Sequence, residues 1–208
     1  MSFNLLIIGK LYKEFCTVYQ EKFSHLANES YAVQYEHLSE KSLELITSYA
    51  ANFNAIGIAT QAIITNLDPL QKKWAQEHGF FNKTNEEIVA EQIKYSKPTA
   101  IWIDDLDYVK PEFISYIKST VPSVKLIFAY HCAPYTQVLA SYFKNVDFVL
   151  TCTPAFKTNY EKLGLKSHFV YHAFDSNVLN KLKEVKPENE KSELVFTGSF
   201  YLGGEFHN

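Results

Sequence analysis

Apolar residues gather in short runs along this chain, at positions 5–8, 63–64, 100–103, 125–129, 148–150, 169–171 and 194–196, and the segments between them carry helical spacing. Strand, helix and strand in alternation predict a mostly parallel sheet with helices packed against it. Several helix starts are explicit. Thr84-Asn85-Glu86-Glu87 matches a capping box, in which a hydroxyl and a carboxylate three positions on satisfy free backbone amides. Pro69, Pro111, Pro134 and Pro154 each suit a first helical position, where a missing N–H costs nothing. From Pro154, Phe156, Tyr160 and Leu163 fall on one face, and Gly164 can take the left-handed closing conformation. Pro69 to Gly79 repeats the scheme with Leu70 and Trp74. After Pro134, Val138 pairs with Tyr142 and Leu139 with Phe143. Residues 38–53 read as one helix, followed by a turn at Gly57 and a second strand near 60–65.

The pattern breaks at residues 181–193, a charged stretch nearly without aromatics, which reads as a linker. The expected organisation is therefore an α/β domain over 1–180, the linker at 181–193, and a further strand opening into glycines over 194–208. With 208 residues, 47% of them hydrophobic and 15% aromatic, the chain has the composition of a globular protein.

The formal net charge is −3 and the 20 basic residues, all of them lysine, are scattered, so no basic face for a nucleic-acid partner is expected. No apolar run reaches the roughly 18–20 residues of a membrane span, and residues 1–9 lack the layout of a secretion signal. A cytoplasmic protein is expected, and peripheral contact with the inner face of a membrane is compatible with that. Cys16, Cys132 and Cys152 lack the paired spacing of a zinc or dithiol motif, so reduced and mostly buried thiols are expected, with no bound metal. Histidines 25, 37, 78, 168 and 207 show no ligand spacing either.

In parallel sheets, ligands bind in the crevice beyond the strands' carboxyl ends. Three stretches fall there. Gly9-Lys10-Leu11-Tyr12 follows the first run and lacks the remaining residues of a phosphate-binding loop. There Gly9 reads either as a turn glycine or as a point of close substrate approach. Asp104-Asp105-Leu106-Asp107 follows the third run, where carboxylates can accept bonds from sugar hydroxyls, hold a divalent ion, or simply cap a turn. Tyr130-His131-Cys132-Ala133-Pro134-Tyr135 follows the fourth, where an imidazole can serve as base or bind a hydroxyl, or merely bond the backbone. His172, in Tyr171-His172-Ala173-Phe174-Asp175, reads as ordering its turn.

Several stretches together resemble the N-terminal half of a GT-B glycosyltransferase of the spore-maturation-protein type. They are Ile63-Ile64-Thr65-Asn66 with Gln71-Lys72-Lys73-Trp74-Ala75, Glu91-Gln92-Ile93 with Lys97-Pro98, Asp147-Phe148-Val149-Leu150-Thr151-Cys152-Thr153-Pro154 with Leu163-Gly164-Leu165, and Tyr171 to Asp175. The resemblance covers most of the chain and rests on the order and spacing of the motifs. It implies a Rossmann-like three-layer domain that binds a sugar acceptor and faces a second domain that binds a nucleotide-sugar donor, with no other cofactor and no metal.

On that reading His131 orients the acceptor or acts as base, and Gly9, Lys10, Tyr12, Asp104, Asp105, Tyr130 and Tyr135 line the acceptor side. Gly198 and Ser199, after the run at 194–196, are similar to the glycine turn of the donor domain, and the chain by itself is expected to be inactive. Two rival expectations stand beside this one. One is a single-domain, metal-dependent GT-A transferase using Asp105 and Asp107, and the other is a non-catalytic α/β binding or regulatory module.

Overall fold

The computed structural model describes residues 3–42 and 46–184. In chain order the regular elements are β1 (Asn4–Gly9), α1 (Lys13–Lys22), α2 (Tyr31–Lys41), α3 (Ile46–Ala55), β2 (Ala59–Ile64), α4 (Asp68–Glu77), α5 (Asn85–Ser96), β3 (Ala100–Ile103), α6 (Pro111–Thr120), β4 (Leu126–Tyr130), α7 (Gln137–Tyr142), β5 (Phe148–Thr151), α8 (Pro154–Lys162), β6 (Ser167–Phe169) and α9 (Ser176–Glu184). The six strands form one parallel sheet in the order β2-β1-β3-β4-β5-β6. This is a Rossmann-like three-layer α/β sandwich.

Strand side chains alternate between the two faces, which is why β1 supplies two separate cores. Leu6 and Ile8 join Val89 and Ile93 of α5, Phe113, Ile114 and Ile117 of α6 and Tyr160 of α8 on one side. Leu5 and Ile7 join Cys16 and Tyr19 of α1, Leu38 of α2, Ile46 and Ala50 of α3 and Leu70 of α4 on the other. Being buried on both faces, β1 and β3 read as unbroken apolar runs.

The capping box forms as expected: the Thr84 side chain accepts from the Glu87 N–H, and the Glu87 carboxylate accepts from the Thr84 N–H. Replacing Thr84 with Ala removes one partner of an exposed helix start, and a loss of about 1 kcal/mol in urea unfolding is expected.

Pro69, Pro111 and Pro154 lie in the first turns of α4, α6 and α8. Pro134 does not open a helix. Its helix starts at Gln137, because the Thr136 hydroxyl accepts from the Leu139 N–H, whereas a start at Pro134 would have Ala133 before it, which offers no capping side chain. In that segment Phe143 is buried and Leu139 packs against the core, whereas Val138 is exposed.

The stretch at 38–53 is not one helix. Helix α2 ends at Lys41, and the buried Ser42 hydroxyl turns back to the Leu38 carbonyl and bonds Thr47 Oγ1, competing with helix continuation. The last strand lies earlier than the apolar run at 169–171, since pairing with β5 stops at Phe169 and Tyr171 is exposed. Leu163 leaves the buried face of α8 as its C-cap, and Leu165 takes that burial beyond the left-handed Gly164.

The chain divides into two units, residues 1–175 and 176–208. Of the second, the described part is α9, whose end includes the first four residues of the charged stretch at 181–193. The expected strand at 194–196, together with Gly198 and Ser199, lies outside the described residues. Among the described residues, no helix is long and apolar enough to cross a membrane.

Candidate active site

In this strand order, the chain leaves β1 in opposite directions to reach β2 and β3. The crevice that such a reversal creates opens beyond the carboxyl ends of β1 and β3. Gly9, Lys10, Asp104 and Asp105 stand at that point. The Asp104 and Asp105 amides both donate to the Ile8 carbonyl, at 2.8 and 3.0 Å, so the β3 exit is tied to the end of β1.

The floor of the site is a polar clamp. Asp105, almost fully buried, accepts from the Thr65 hydroxyl at 2.6 Å and from the Asp107 N–H at 3.2 Å, and pairs with the Lys10 ammonium at 3.2 Å. Asn66 fixes the loop above: its side chain accepts from the Leu11 N–H at 2.9 Å and donates to the Leu11 carbonyl at 2.7 Å. Thr65 and Asn66 follow β2 directly, so the strand-end rule that selected the other candidates also points to them.

Lys10 Nζ reaches Asp107 as well, at 3.6 Å. Partial burial works against its charge, but Asp105 and Asp107 outweigh that and hold its pKa above the usual lysine value. An ammonium thus stands between the two carboxylates of the D-x-D pattern. Asp105, spent on the clamp and the turn at 106–108, holds the site's shape.

Asp104 differs from Asp105 in its surroundings. It is half-buried, no described residue hydrogen-bonds to its carboxylate, and burial followed by the Asp105 charge pushes its pKa up to about 6, with Lys10 opposing. Two phenols share its surroundings. Burial and then Asp104 raise the pKa of Tyr49, while burial, Tyr49 and Asp104 raise that of Tyr130 at the end of β4. Tyr12, at the start of α1, is 71% exposed.

Gly9 admits no open approach to its backbone. A methyl group added there would run into Ile46 Cδ1, so the α3 side chain fills the space beside it.

His131 lies inside the protein. Its ring is walled by Tyr135, Phe143 and Tyr160, Nδ1 shares a 2.5 Å hydrogen bond with the Tyr160 hydroxyl, and burial pulls its pKa down to about 4. It is neutral near pH 7, with Nδ1 taken up by the Tyr160 hydroxyl. Tyr135 stacks on Tyr160 in the same aromatic group.

Cys16 is buried and free, as expected. Cys132 and Cys152 depart from the expectation of reduced, buried thiols: they are half-buried and paired as a disulfide, with Cα atoms 5.5 Å apart. Sequence spacing hides this pairing, because 20 residues and a whole helix separate two positions that parallel strands place side by side.

A cavity of about 730 Å³ lies along the outer strand β2, lined by Tyr31, Tyr35, Trp74, Gln92 and Tyr95 among others. It touches none of the residues at the β1 and β3 ends and is mostly apolar. Lys10, Thr65, Asp104, Asp105 and Asp107 gather instead beyond the carboxyl ends of β1 and β3. Compared with known proteins, the sequence matches no protein-family model and no curated protein.

Proposed function

We propose that this chain is the acceptor-side domain of a cytoplasmic glycosyltransferase, binding a glycan, lipid or protein hydroxyl that receives the sugar of a nucleotide-sugar donor held by a second domain, the nucleotide departing as the leaving group. The observation that carries this reading is the half-buried Asp104 carboxyl at the strand-reversal point, with its pKa pushed to about 6. A carboxylate near neutrality, without a hydrogen bond from any described residue, suits accepting or removing the proton of a bound hydroxyl. Lys10 and the phenols of Tyr49 and Tyr130 add donors and ring surfaces around it, and the Thr65, Asn66 and Asp105 clamp keeps the crevice in one geometry. The sequence motifs that resemble the GT-B N-terminal half supply the chemical class.

The metal-dependent single-domain alternative needs Asp105 and Asp107 free for an ion, whereas Lys10 pairs with both. A phosphoacceptor regulator with a comparable strand order calls for acidic groups at the end of β1, where Gly9 and Lys10 stand.

The test is direct binding. In saturation-transfer NMR or on a carbohydrate array, the chain is expected to bind oligosaccharide or glycolipid acceptors, with the signal lost in Lys10→Ala. Calorimetry with Mn²⁺ and a nucleotide sugar is expected to give no tight ternary complex. Tight Mn²⁺-dependent nucleotide-sugar binding without any carbohydrate binding would overturn the proposal in favour of the metal-dependent transferase.

A further inference from the structure

Three consecutive chain exits at the far end of the sheet bring together a second group of reactive side chains. Tyr130 of β4 is in register with Leu150 of β5, and the His131 N–H donates to the Leu150 carbonyl at 2.9 Å. Two residues beyond that rung on each strand stand Cys132 and Cys152. The parallel ladder continues to β6, where Thr151 pairs with Phe169 and the Val170 N–H donates to the Thr151 carbonyl, so the chain leaving β6 carries His172 to the same place. One ligand atom each from Cys132, Cys152 and His172 lies within 4.8 Å of the others. Among the described residues, this is the one group of three or more His, Cys, Asp or Glu side chains with that geometry.

We propose that the reduced Cys132 and Cys152 thiolates, together with the His172 imidazole, form a binding site for a single zinc ion. Two thiolate sulfurs and one imidazole nitrogen are a soft donor set that suits Zn²⁺ and is unsuited to Mg²⁺ or Ca²⁺. With two thiolates and a neutral imidazole, the ion's charge is balanced at the site. A Cα separation of 5.5 Å lets the two sulfurs serve either as a disulfide or as neighbouring ligands of one ion after reduction.

His172 is exposed and the cysteines are half-buried, so solvent can supply the fourth ligand and an ion has a path in. The disulfide and the metal site use the same sulfurs and exclude each other. A reducing compartment favours the metal, and an oxidising one favours the disulfide.

The experiment uses the whole chain reduced with a phosphine, which leaves the metal free, and titrates it with Co²⁺ as a spectroscopic probe and then with Zn²⁺ against a chromophoric chelator. One equivalent of Co²⁺ is expected to give near-ultraviolet thiolate charge-transfer bands and visible bands of a four-coordinate ion, with one equivalent of Zn²⁺ displacing it. His172→Ala, a change at an exposed side chain, is expected to weaken Zn²⁺ at least about 10-fold, and Cys152→Ser to abolish the charge-transfer bands, with folding checked by circular dichroism. Chain oxidised at Cys132 and Cys152 is expected not to bind. Absence of the bands in reduced, folded protein, or Zn²⁺ affinity unchanged in His172→Ala, would overturn the assignment.

Discussion

Asp104→Asn is expected to stabilise the protein at neutral pH while weakening acceptor binding. The Asp104 pKa stands at about 6 in the fold, against an ordinary value of 3.8, chiefly because of burial and secondly because of Asp105. Between those two values the unfolded chain releases the proton while the folded chain keeps it. Stability therefore falls as pH rises through that window, and above pH 6 the fold carries the whole cost of an ionised, half-buried carboxylate.

A shift of this size corresponds to about 2 to 3 kcal/mol at most, less whatever solvent screening removes. Asn keeps the shape and cannot ionise. The difference between variant and parent in urea unfolding should be near zero at pH 3.5, grow through pH 5 and level off above pH 6. Taking the difference cancels groups that do not act on Asp104, such as His131, while Lys10, Tyr49 and Tyr130, which are coupled to it, are held above their ordinary values and stay protonated throughout this pH range.

Binding should move the other way. Loss of a charged acceptor of a ligand hydroxyl typically costs about 1.5 to 3 kcal/mol, which is roughly 10- to 100-fold in affinity. A stabilising substitution that damages binding is the mark of a group kept for function at the expense of the fold. If Asp104→Asn left stability unchanged across the pH range, the strained carboxylate that carries the functional proposal would not exist.

The strands and the positions that follow them were readable because each parallel strand buried on both faces leaves a run of apolar residues, and its crossover leaves a helical pattern. This brought out β1, β3, β4 and β5 and placed Lys10, Asp104 and Asp105 at strand ends. Roles within the site were not readable, since they depend on which neighbours arrive from distant elements. Asp104 and Asp105 are adjacent and chemically identical, yet Thr65 and Lys10 take the carboxylate of one, while no described residue hydrogen-bonds to the carboxylate of the other. Gly9 read either as a turn glycine or as a point of close approach, and only the arrival of Ile46 from α3 fills the space beside it. Local competition hid the boundaries, as at Ser42 and Thr136, where a hydroxyl satisfied a backbone group differently from the hydrophobic period. The Cys132–Cys152 pair needed the register of β4 on β5, which no count along the sequence contains.

Tyr160 should be among the most sensitive side chains of the fold, and its substitution also decides what His131 does. Its side chain is fully buried, stacked on Tyr135 and edge-on to Phe143, and its hydroxyl is bonded to His131 Nδ1. Tyr160→Ala removes a large ring from the helix-covered face of β5, and a loss of about 3 to 5 kcal/mol is expected in urea unfolding. Tyr160→Phe keeps the ring and strands a buried imidazole nitrogen, which should cost about 1 to 3 kcal/mol. His131→Phe in that background then restores an apolar match, so the double variant should be more stable than Tyr160→Phe alone, a coupling that independent residues would not show. If His131 is a packing group, acceptor binding survives in the folded double variant with an affinity within about 2-fold of the parent. A collapse of binding there, with stability recovered, would return His131 to the acceptor site and move the centre of the crevice toward the end of β4.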